Sequence, residues 1–214
     1  MKKASKKDVA FIKTTLSERY ADAVSELRYT SLYELLVAVM LSAQCTDKRV
    51  NIITPNLFAA YPNTKKLALA DIDELKALIN SCSFFNNKAA NLIKMARSVE
   101  ENFGGMIPLD EASLISLAGV GQKTAHVVMI EHTGANVMAV DTHVFRVSHR
   151  LGLSVAKTPS ATELDLSKKF QTNLHVLHQA MVLFGRYTCK AKNPLCEECF
   201  LSSVCKSKES FKAG

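Results

Sequence analysis

Residues 117–124 read Leu-Ala-Gly-Val-Gly-Gln-Lys-Thr and join two predicted helices, residues 110–117 and 122–132. Gly119 and Gly121 permit positive φ and leave their amides accessible, while Val120 between them can anchor inward. Unpaired amides at such a turn and at the next helix start carry partial positive charge, which predicts a phosphate-binding turn. On the glycines alone, a plain helix–helix turn remains the alternative.

Lys123 adds chemistry to this turn. It falls in the first turn of the following helix, where the helix dipole disfavours a cation, whereas a lysine serving only solubility belongs at the other end. The same field, aided by partial burial, favours the uncharged amine and therefore a nucleophile at neutral pH. Lys123 is the candidate catalytic nucleophile.

Asp141 lies eighteen positions after Lys123, at the predicted start of another helix. A lone Asp in this position is ordinarily a helix N-cap. The helix between them would be about 16 Å long, and residues 134–140 can extend over ~23 Å, so the chain can return Asp141 beside Lys123. An amine and a carboxylate next to a phosphate-binding turn suit Schiff-base chemistry on a sugar.

Four cysteines crowd the end of the chain: Cys189, Cys196, Cys199 and Cys205. The short spacing brings four thiolates around one centre, and thiolates are the ligands that iron–sulfur clusters and zinc select. Cys45 and Cys82 lie far upstream. In a reducing compartment such a cluster of cysteines indicates a metal before a disulfide.

The composition narrows the class of protein. The 214 residues are 48% hydrophobic and 22% charged, which excludes a disordered chain, and no apolar run is long enough to span a bilayer. The first residues lack the apolar stretch of a signal peptide, so we expect a cytoplasmic protein. The net charge of +7 makes nucleic acid the first partner to consider, although many basic proteins bind none.

Strand signals are nearly absent, and helix punctuation recurs along the chain, which predicts an all-α fold. Ser5 with Asp8 and Ser31 with Glu34 are typical of capping boxes. Apolar periodicity and breaks predict further helices over residues 48–60, 71–79, 87–102, 110–117, 122–132, 141–151, 159–170 and 173–187.

With these residues in place, the chain resembles the endonuclease III family, the helix-hairpin-helix DNA glycosylases of base excision repair. The resemblance covers nearly the whole chain and rests on residues 41–47, 119–125, 140–146, 185–189 and the cysteine spacing. It implies two helical lobes. Residues 25–135 would form a six-helix barrel carrying the hairpin, and residues 1–24 with 136–214 would form a discontinuous iron–sulfur cluster domain.

The resemblance also implies a bifunctional glycosylase and AP lyase that removes oxidised pyrimidines. Lys123 would attack the deoxyribose C1′ and form an imine, and β-elimination would then cut the strand 3′ to the abasic site. Asp141 would help deprotonate the lysine and stabilise the transition state. The four terminal cysteines match the family's [4Fe–4S] pattern; zinc ribbons usually pair two Cys-x-x-Cys knuckles, and this chain has one.

DNA contacts are carried over by the same resemblance. Gln44 would fill the space left by the flipped base and Phe84 would act as a wedge beside the orphaned partner base; otherwise they are a polar residue at a helix end and a core aromatic. The remaining candidates are the hairpin residues Gly119, Val120, Gly121 and Thr124 and the basic residues Arg186, Lys190 and Lys192, whose alternative is an ordinary solvated surface.

The chain departs from the family pattern at a few positions. Ala118 replaces the usual proline of the hairpin, His126 an asparagine, Ser83 a glycine and Cys45 an alanine. None removes a catalytic group, although His126 and Ser83 leave the preferred lesion open.

Three alternatives to this activity compete. An adenine- or mismatch-specific monofunctional glycosylase is disfavoured by Lys123, a non-catalytic DNA-binding module would need neither Lys123 nor Asp141, and a zinc-bound interaction domain would be colourless. The expected partner is double-stranded DNA with damaged or abasic sites, met by a monomer in the cytoplasm at the nucleoid, with no membrane association.

Overall fold

The computed structural model describes residues 3–211, and this range contains eleven α-helices and no β-strand. The helices are α1 Lys6–Arg19, α2 Leu32–Ser42, α3 Asp47–Ala60, α4 Thr64–Ala68, α5 Ile72–Ile79, α6 Phe85–Phe103, α7 Glu111–Ser116, α8 Gln122–Thr133, α9 Thr142–Arg150, α10 Pro159–Phe170 and α11 Leu174–Tyr187. A short 3₁₀ turn follows at Lys208–Phe211. The all-α prediction is confirmed. Within the described range, every helix is too short or too polar to cross a lipid bilayer.

Side-chain caps set where most helices begin. The Ser5 hydroxyl accepts from the Asp8 amide while the Asp8 carboxylate accepts from the Ser5 amide, so the predicted capping box at α1 is present. The Ser31 hydroxyl likewise accepts from the Glu34 amide at α2. These contacts satisfy amides that would otherwise lack an acceptor at a helix start, which is why the polar residues fix the boundaries.

The chain consists of two compact units, and one of them is Ser25–Thr133. It contains α2 to α8 around one apolar core. Eight of the eleven residues of α2, Tyr33 and the seven consecutive residues Leu35–Leu41, are at most 8% exposed, so this helix is buried on nearly all sides. In the same unit α6 packs against α4 and α5, and α7 packs against α8.

The second unit combines residues 3–24 with residues 134–211 of the described chain. Its core joins Ile12 and Leu16 of α1 to residues of α9, α10 and α11. The ammonium group of Lys206 lies 2.8 Å from the Asp8 carboxylate, so an ion pair connects the start of α1 to the residue after Cys205. The N-terminal helix is therefore part of the same packed unit as the terminal cysteines.

Candidate functional site

The hairpin between α7 and α8 uses its two glycines differently. Gly119 has a φ of +80°, and a Cβ built there would lie 2.9 Å from the Asn91 Cβ on α6, so both conformation and packing require glycine. Gly121 is outside the positive-φ region, and nothing lies within 4 Å of an added Cβ. Both glycines permit positive φ, but of the two only Gly119 adopts it, and the missing side chain of Gly121 leaves open space above the turn.

Some backbone amides of this turn have a hydrogen-bond acceptor within it, and others do not. Val120 is 5% exposed, so its side chain anchors inward as predicted, and its amide donates to the Leu117 carbonyl at 3.1 Å. The first α8 hydrogen bond runs from the Ala125 amide to the Gly121 carbonyl at 3.0 Å. The amides of Lys123 and Thr124 precede it and have no acceptor within the helix. Backbone donors thus form the positive end of α8. Val120 anchors the turn, but its amide is already bonded to the Leu117 carbonyl.

Lys123 is exposed in the first turn of α8. The partial burial expected for this side chain is not found, because the hairpin ends at Gly121 and the side chain of the second helical residue projects into open surroundings. The unfavourable field of the helix start remains, since it follows from the position alone. Lys123 is accessible to a large substrate without any rearrangement of a buried core.

Asp141 is the N-cap of α9. Its Oδ1 accepts a hydrogen bond from the Val144 amide at 2.7 Å, and the residue is half-buried. Among the described residues, no hydrogen bond to the second carboxylate oxygen is found. Asp141 belongs to the unit of residues 134–211 and Lys123 to the unit of residues 25–133. Their proximity remains a prediction.

Gln44 and Phe84 share an unusual backbone conformation. Their φ values are +54° and +58°, and both side chains are exposed, Phe84 to 61%. Positive φ at a bulky residue such as Phe is a true outlier and costs on the order of 1–3 kcal/mol, and such strain is concentrated at functional sites. Both residues line one cavity of about 190 Å³, together with Lys88, Asn91 and Gly119. The structure therefore brings together three of the residues predicted from the sequence.

Lys88 is a residue of this site that the sequence did not reveal. Its ammonium group is buried and donates to the carbonyls of Leu41 at 2.8 Å and Ala43 at 2.7 Å. These are orphan carbonyls at the end of α2, where a cation is favoured by the helix dipole. Lys88 thereby fixes the segment that leads into Gln44.

The four terminal cysteines lie half-buried in the loop that follows α11. Cys189, Cys199 and Cys205 pack against the core of their unit. Burial first, and then the neighbouring thiols, raise the pKa of Cys199 and Cys205.

The chemistry of the donor set, four thiols and no imidazole in residues 189–205, fits an iron–sulfur cluster. Within residues 3–211 no three His, Cys, Asp or Glu side chains converge closely enough to hold a single metal ion. A four-iron cluster needs no such convergence, because each thiolate binds a different iron atom. Arg150 donates to the Cys189 carbonyl and lies 3.4 Å from the Cys189 sulfur, which adds positive charge beside a site that becomes anionic when the thiols are deprotonated.

The other predicted contacts lie around this loop and the hairpin. Arg186 is half-buried at the end of α11, while Lys190 and Lys192 are exposed between Cys189 and Cys196. The departure at His126 has a packing role: this residue is 3% exposed, and its Nε2 lies 3.0 Å from a carboxylate oxygen of Glu111 on α7. His126 thus faces α7 and leaves the exposed face of the hairpin unchanged.

Two family models match the chain. The model of the HhH-GPD superfamily base excision DNA repair protein matches residues 37–172, and that of the iron–sulfur binding domain of endonuclease III matches residues 189–205. The second match begins and ends at a cysteine of the terminal loop. Together with the spacing of the four cysteines, it identifies the cofactor of this chain as a [4Fe–4S] cluster.

Known proteins resemble the chain over nearly its full length. Endonuclease III of Synechocystis sp. is 42% identical over 98% of this chain and 97% of its own, and that of Bacillus subtilis is 39% identical over 94% and 92%. A solved trapped endonuclease III–DNA covalent intermediate superimposes with a TM-score of 0.90 at 36% identity, covering 96% of this chain and 98% of its own. A thermostable thymine-DNA glycosylase, 22% identical with a TM-score of 0.85, shares the fold. The chain therefore belongs to the endonuclease III family of HhH-GPD base excision DNA repair proteins.

Proposed function

We propose that this DNA glycosylase and AP lyase of base excision repair uses Lys123 as its nucleophile on oxidised pyrimidines in duplex DNA. The Lys123 amine attacks C1′ of the damaged nucleotide, and the bond from C1′ to the base breaks. Opening of the sugar ring gives an imine between Lys123 and C1′. Loss of a C2′ proton then expels the 3′ phosphate, which cuts the strand, and water releases Lys123 from the imine.

Two arguments support Lys123. It is an exposed amine on the positive end of a helix, where backbone amides can hold the phosphates that flank the reacting sugar. In addition, a relative of this fold at 36% identity has been solved as a trapped covalent intermediate with DNA. A covalent step needs a nucleophile on the protein, and Lys123 matches the family motif at that place.

Asp141 is proposed to assist the amine. Its Oδ1 is engaged by the Val144 amide at 2.7 Å, and this contact fixes the carboxylate while leaving Oδ2 for a second task. A fixed carboxylate can take the proton that Lys123 must lose and can stabilise the positive charge that develops on the sugar as the base leaves. Capping and catalysis therefore use different oxygens of one side chain.

Gln44 and Phe84 are proposed to enter the duplex where the target base is flipped out. A base must leave the stack before its C1′ can be attacked, and the vacated space must be filled. Both side chains are exposed and held at positive φ on the rim of one cavity. Lys88 supports Gln44 from below by binding the carbonyls of Leu41 and Ala43.

Phosphate contacts are proposed for two groups of residues. The hairpin would supply backbone donors from Gly119, Gly121 and Thr124, with Val120 as the anchor that keeps the turn in shape. The second group is the basic residues Arg186, Lys190 and Lys192. With a net charge of +7, these contacts would make DNA affinity fall steeply with salt concentration.

The domain roles and the setting are also proposals. We assign the barrel of the family to residues 25–135 and its cluster domain to residues 1–24 with 136–214. The cluster would be held by Cys189, Cys196, Cys199 and Cys205 and would stabilise that domain and its DNA contacts, without entering the bond-making steps. The substrate is double-stranded DNA with damaged or abasic sites, and the enzyme would act as a monomer in the cytoplasm at the nucleoid.

One observation carries the proposal, namely an accessible lysine on the amide-rich start of α8, and Lys123→Ala tests it. With borohydride, the wild-type protein should become covalently linked to a duplex containing an abasic site, because reduction fixes the imine. Lys123→Ala should bind this duplex with little change, yet give no linked product and no strand cleavage. Lys94→Ala, at an exposed lysine of α6, is the matched control and should behave as wild type. Ordinary cleavage by Lys123→Ala would refute the assignment.

A further inference from the structure

Two cysteines outside the terminal loop are in direct contact. The sulfur atoms of Cys45 and Cys82 lie 3.5 Å apart, although 37 positions separate them in sequence. A disulfide bond has a length of about 2.05 Å, so the two sulfurs need to approach by only about 1.5 Å to become bonded. Neither thiol has a part in the proposed reaction, and the resemblance places alanine at position 45.

The pair joins the two segments that carry the proposed duplex-entering residues. Cys45 directly follows Gln44, and Cys82 precedes Phe84 by two positions. Both of those neighbours are held at positive φ, at +54° and +58°. A bond between the cysteines would therefore fix one segment to the other at the point where the backbone of each is already strained.

The two thiols differ in access. Cys82 is 3% exposed, whereas Cys45 is half-buried. Burial first, and then the hydrogen bond with Cys45, raise the pKa of Cys82 to about 12, despite the opposing charges of Lys88 and Arg49. Cys82 thus remains a thiol at neutral pH and is shielded from solvent, so a soluble oxidant meets Cys45 first.

We propose that Cys45 and Cys82 form a reversible disulfide when the protein meets hydrogen peroxide, and that this bond weakens the binding of lesion DNA. The proposal of weaker binding rests on the proposed roles of Gln44 and Phe84. The cross-link draws the two segments together and changes the backbone on which both side chains depend. Gln44 and Phe84 are then no longer held in the geometry that their positive φ and Lys88 set for insertion into a duplex.

The oxidation proceeds in two balanced steps. The Cys45 sulfur attacks peroxide, so that an S–O bond forms, the O–O bond breaks, and one water leaves, which gives a sulfenic acid. The Cys82 sulfur then attacks the Cys45 sulfur; the S–S bond forms, the S–O bond breaks, and hydroxide leaves as water with the Cys82 proton. Two thiols lose two electrons and peroxide becomes two waters. A cytosolic dithiol reverses the bond by exchange.

The test uses the cluster-containing protein with hydrogen peroxide in small excess. Thiol alkylation and peptide mapping under non-reducing conditions should identify a peptide pair joined through Cys45 and Cys82, while the visible absorption of the cluster stays unchanged. The absence of that pair would overturn the site. Cys45→Ala, treated in the same way, is the matched control, since it carries the family residue and cannot form the bond.

Binding is measured with a duplex that contains a tetrahydrofuran abasic analogue, which cannot be cleaved. We expect the oxidised wild-type protein to bind about tenfold more weakly, a loss that dithiothreitol restores and that Cys45→Ala never shows. A cross-linked protein of equal or higher affinity would overturn the regulatory effect. Strand cleavage by the reduced protein is scored separately, so a failure of the proposed function is seen as inactivity of the reduced form, whatever the state of the thiols.

Discussion

One carboxylate oxygen of Asp141 caps the start of α9. In the proposed mechanism, the negative charge of the same side chain assists the reaction. Asp141→Asn separates these roles. Asn is as good an N-cap as Asp, so its side-chain oxygen can still accept from the Val144 amide, and the free energy of unfolding should change by less than about 0.5 kcal/mol. The negative charge is lost, so base release in a single turnover should slow by about a hundredfold or more. Thermal unfolding and rapid-quench kinetics on a lesion duplex measure the two effects.

Asp110 offers the control for this substitution. It caps α7 as Asp141 caps α9, with Oδ1 accepting from the Ser113 amide at 2.9 Å. Asp110→Asn makes the same chemical change at a helix start that has no proposed role in catalysis, so its rate should stay near that of the wild type. Equal rate losses in both variants would reduce Asp141 to a cap.

Two lysines near helix starts show how far the role of a single residue can be predicted from the sequence. The dipole argument that singled out Lys123 applies equally to Lys88, at the end of the first turn of α6. In the structure Lys88 is buried on the carbonyls of Leu41 and Ala43, which compensate for its position. Periodicity could not foresee that contact because it joins positions 47 and 45 apart in sequence. The dipole argument alone therefore does not separate a catalytic lysine from a structural one, and the role proposed for Lys123 depends on the surrounding motif as well.

At the scale of the element, the two glycines of the hairpin should respond in opposite ways to substitution by alanine. Gly119→Ala places a Cβ 2.9 Å from the Asn91 Cβ at a φ of +80°, so it should destabilise the protein by about 2–4 kcal/mol. Gly121→Ala meets nothing within 4 Å and needs no positive φ, so stability should be unchanged or slightly higher. In the proposed DNA interface its methyl group would occupy the space through which a phosphate reaches the amides, so duplex binding should weaken. Chemical denaturation and fluorescence titration of both variants measure this contrast.

The opposite pattern would contradict this account of the hairpin. If Gly121→Ala binds duplex DNA like the wild type, the turn does not hold phosphate through its backbone. A stable Gly119→Ala would mean that α6 can move away from the hairpin, because the clash is with the first carbon of the Asn91 side chain, which has no rotamer that avoids it.

The sequence predicted the start of some helices better than that of others. The starts of α5 and α10 follow Asp71 and Thr158, whose side chains accept from amides in the first turn. In contrast, α6 begins at Phe85, two residues before its predicted start, because its N-cap Phe84 makes no side-chain cap bond. The five-residue α4 was missed altogether, since one turn is too short to show a periodic apolar stripe.

At the scale of the whole molecule, the chain forms two separate cores, and only one of them contains the N-terminal helix. Ile12 and Leu16 are fully buried among residues of α9, α10 and α11, more than a hundred positions away. Helical periodicity shows which face of a helix is apolar but not which partner buries it. The expected return of the N-terminal helix to the C-terminal part therefore came from the family resemblance, since no local signal encodes it.

The cysteine loop belongs to this discontinuous unit. Cys189, Cys199 and Cys205 pack against the core that contains Leu16, and Lys206 is paired with Asp8 on α1. A metal centre that binds only the folded state adds its binding free energy to the free energy of unfolding. Loss of the centre therefore destabilises the unit in which its ligands are packed. The other unit, Ser25–Thr133, has its own core and contributes none of the four cysteines.

Removal of the cluster should therefore unfold one unit before the other. After anaerobic oxidation and chelation of the iron, amide hydrogen exchange should show loss of protection in α1, α9 and α11, because their shared core loses the cross-links between the four cysteines. Protection in α2 and α6 should persist, since residues at most 9% exposed hold that core together without the cluster. Reconstitution with iron and sulfide should restore the first set. Equal loss of protection in all five helices would mean that the two cores unfold as one cooperative unit, and unchanged protection everywhere would mean that the cluster contributes nothing to folding.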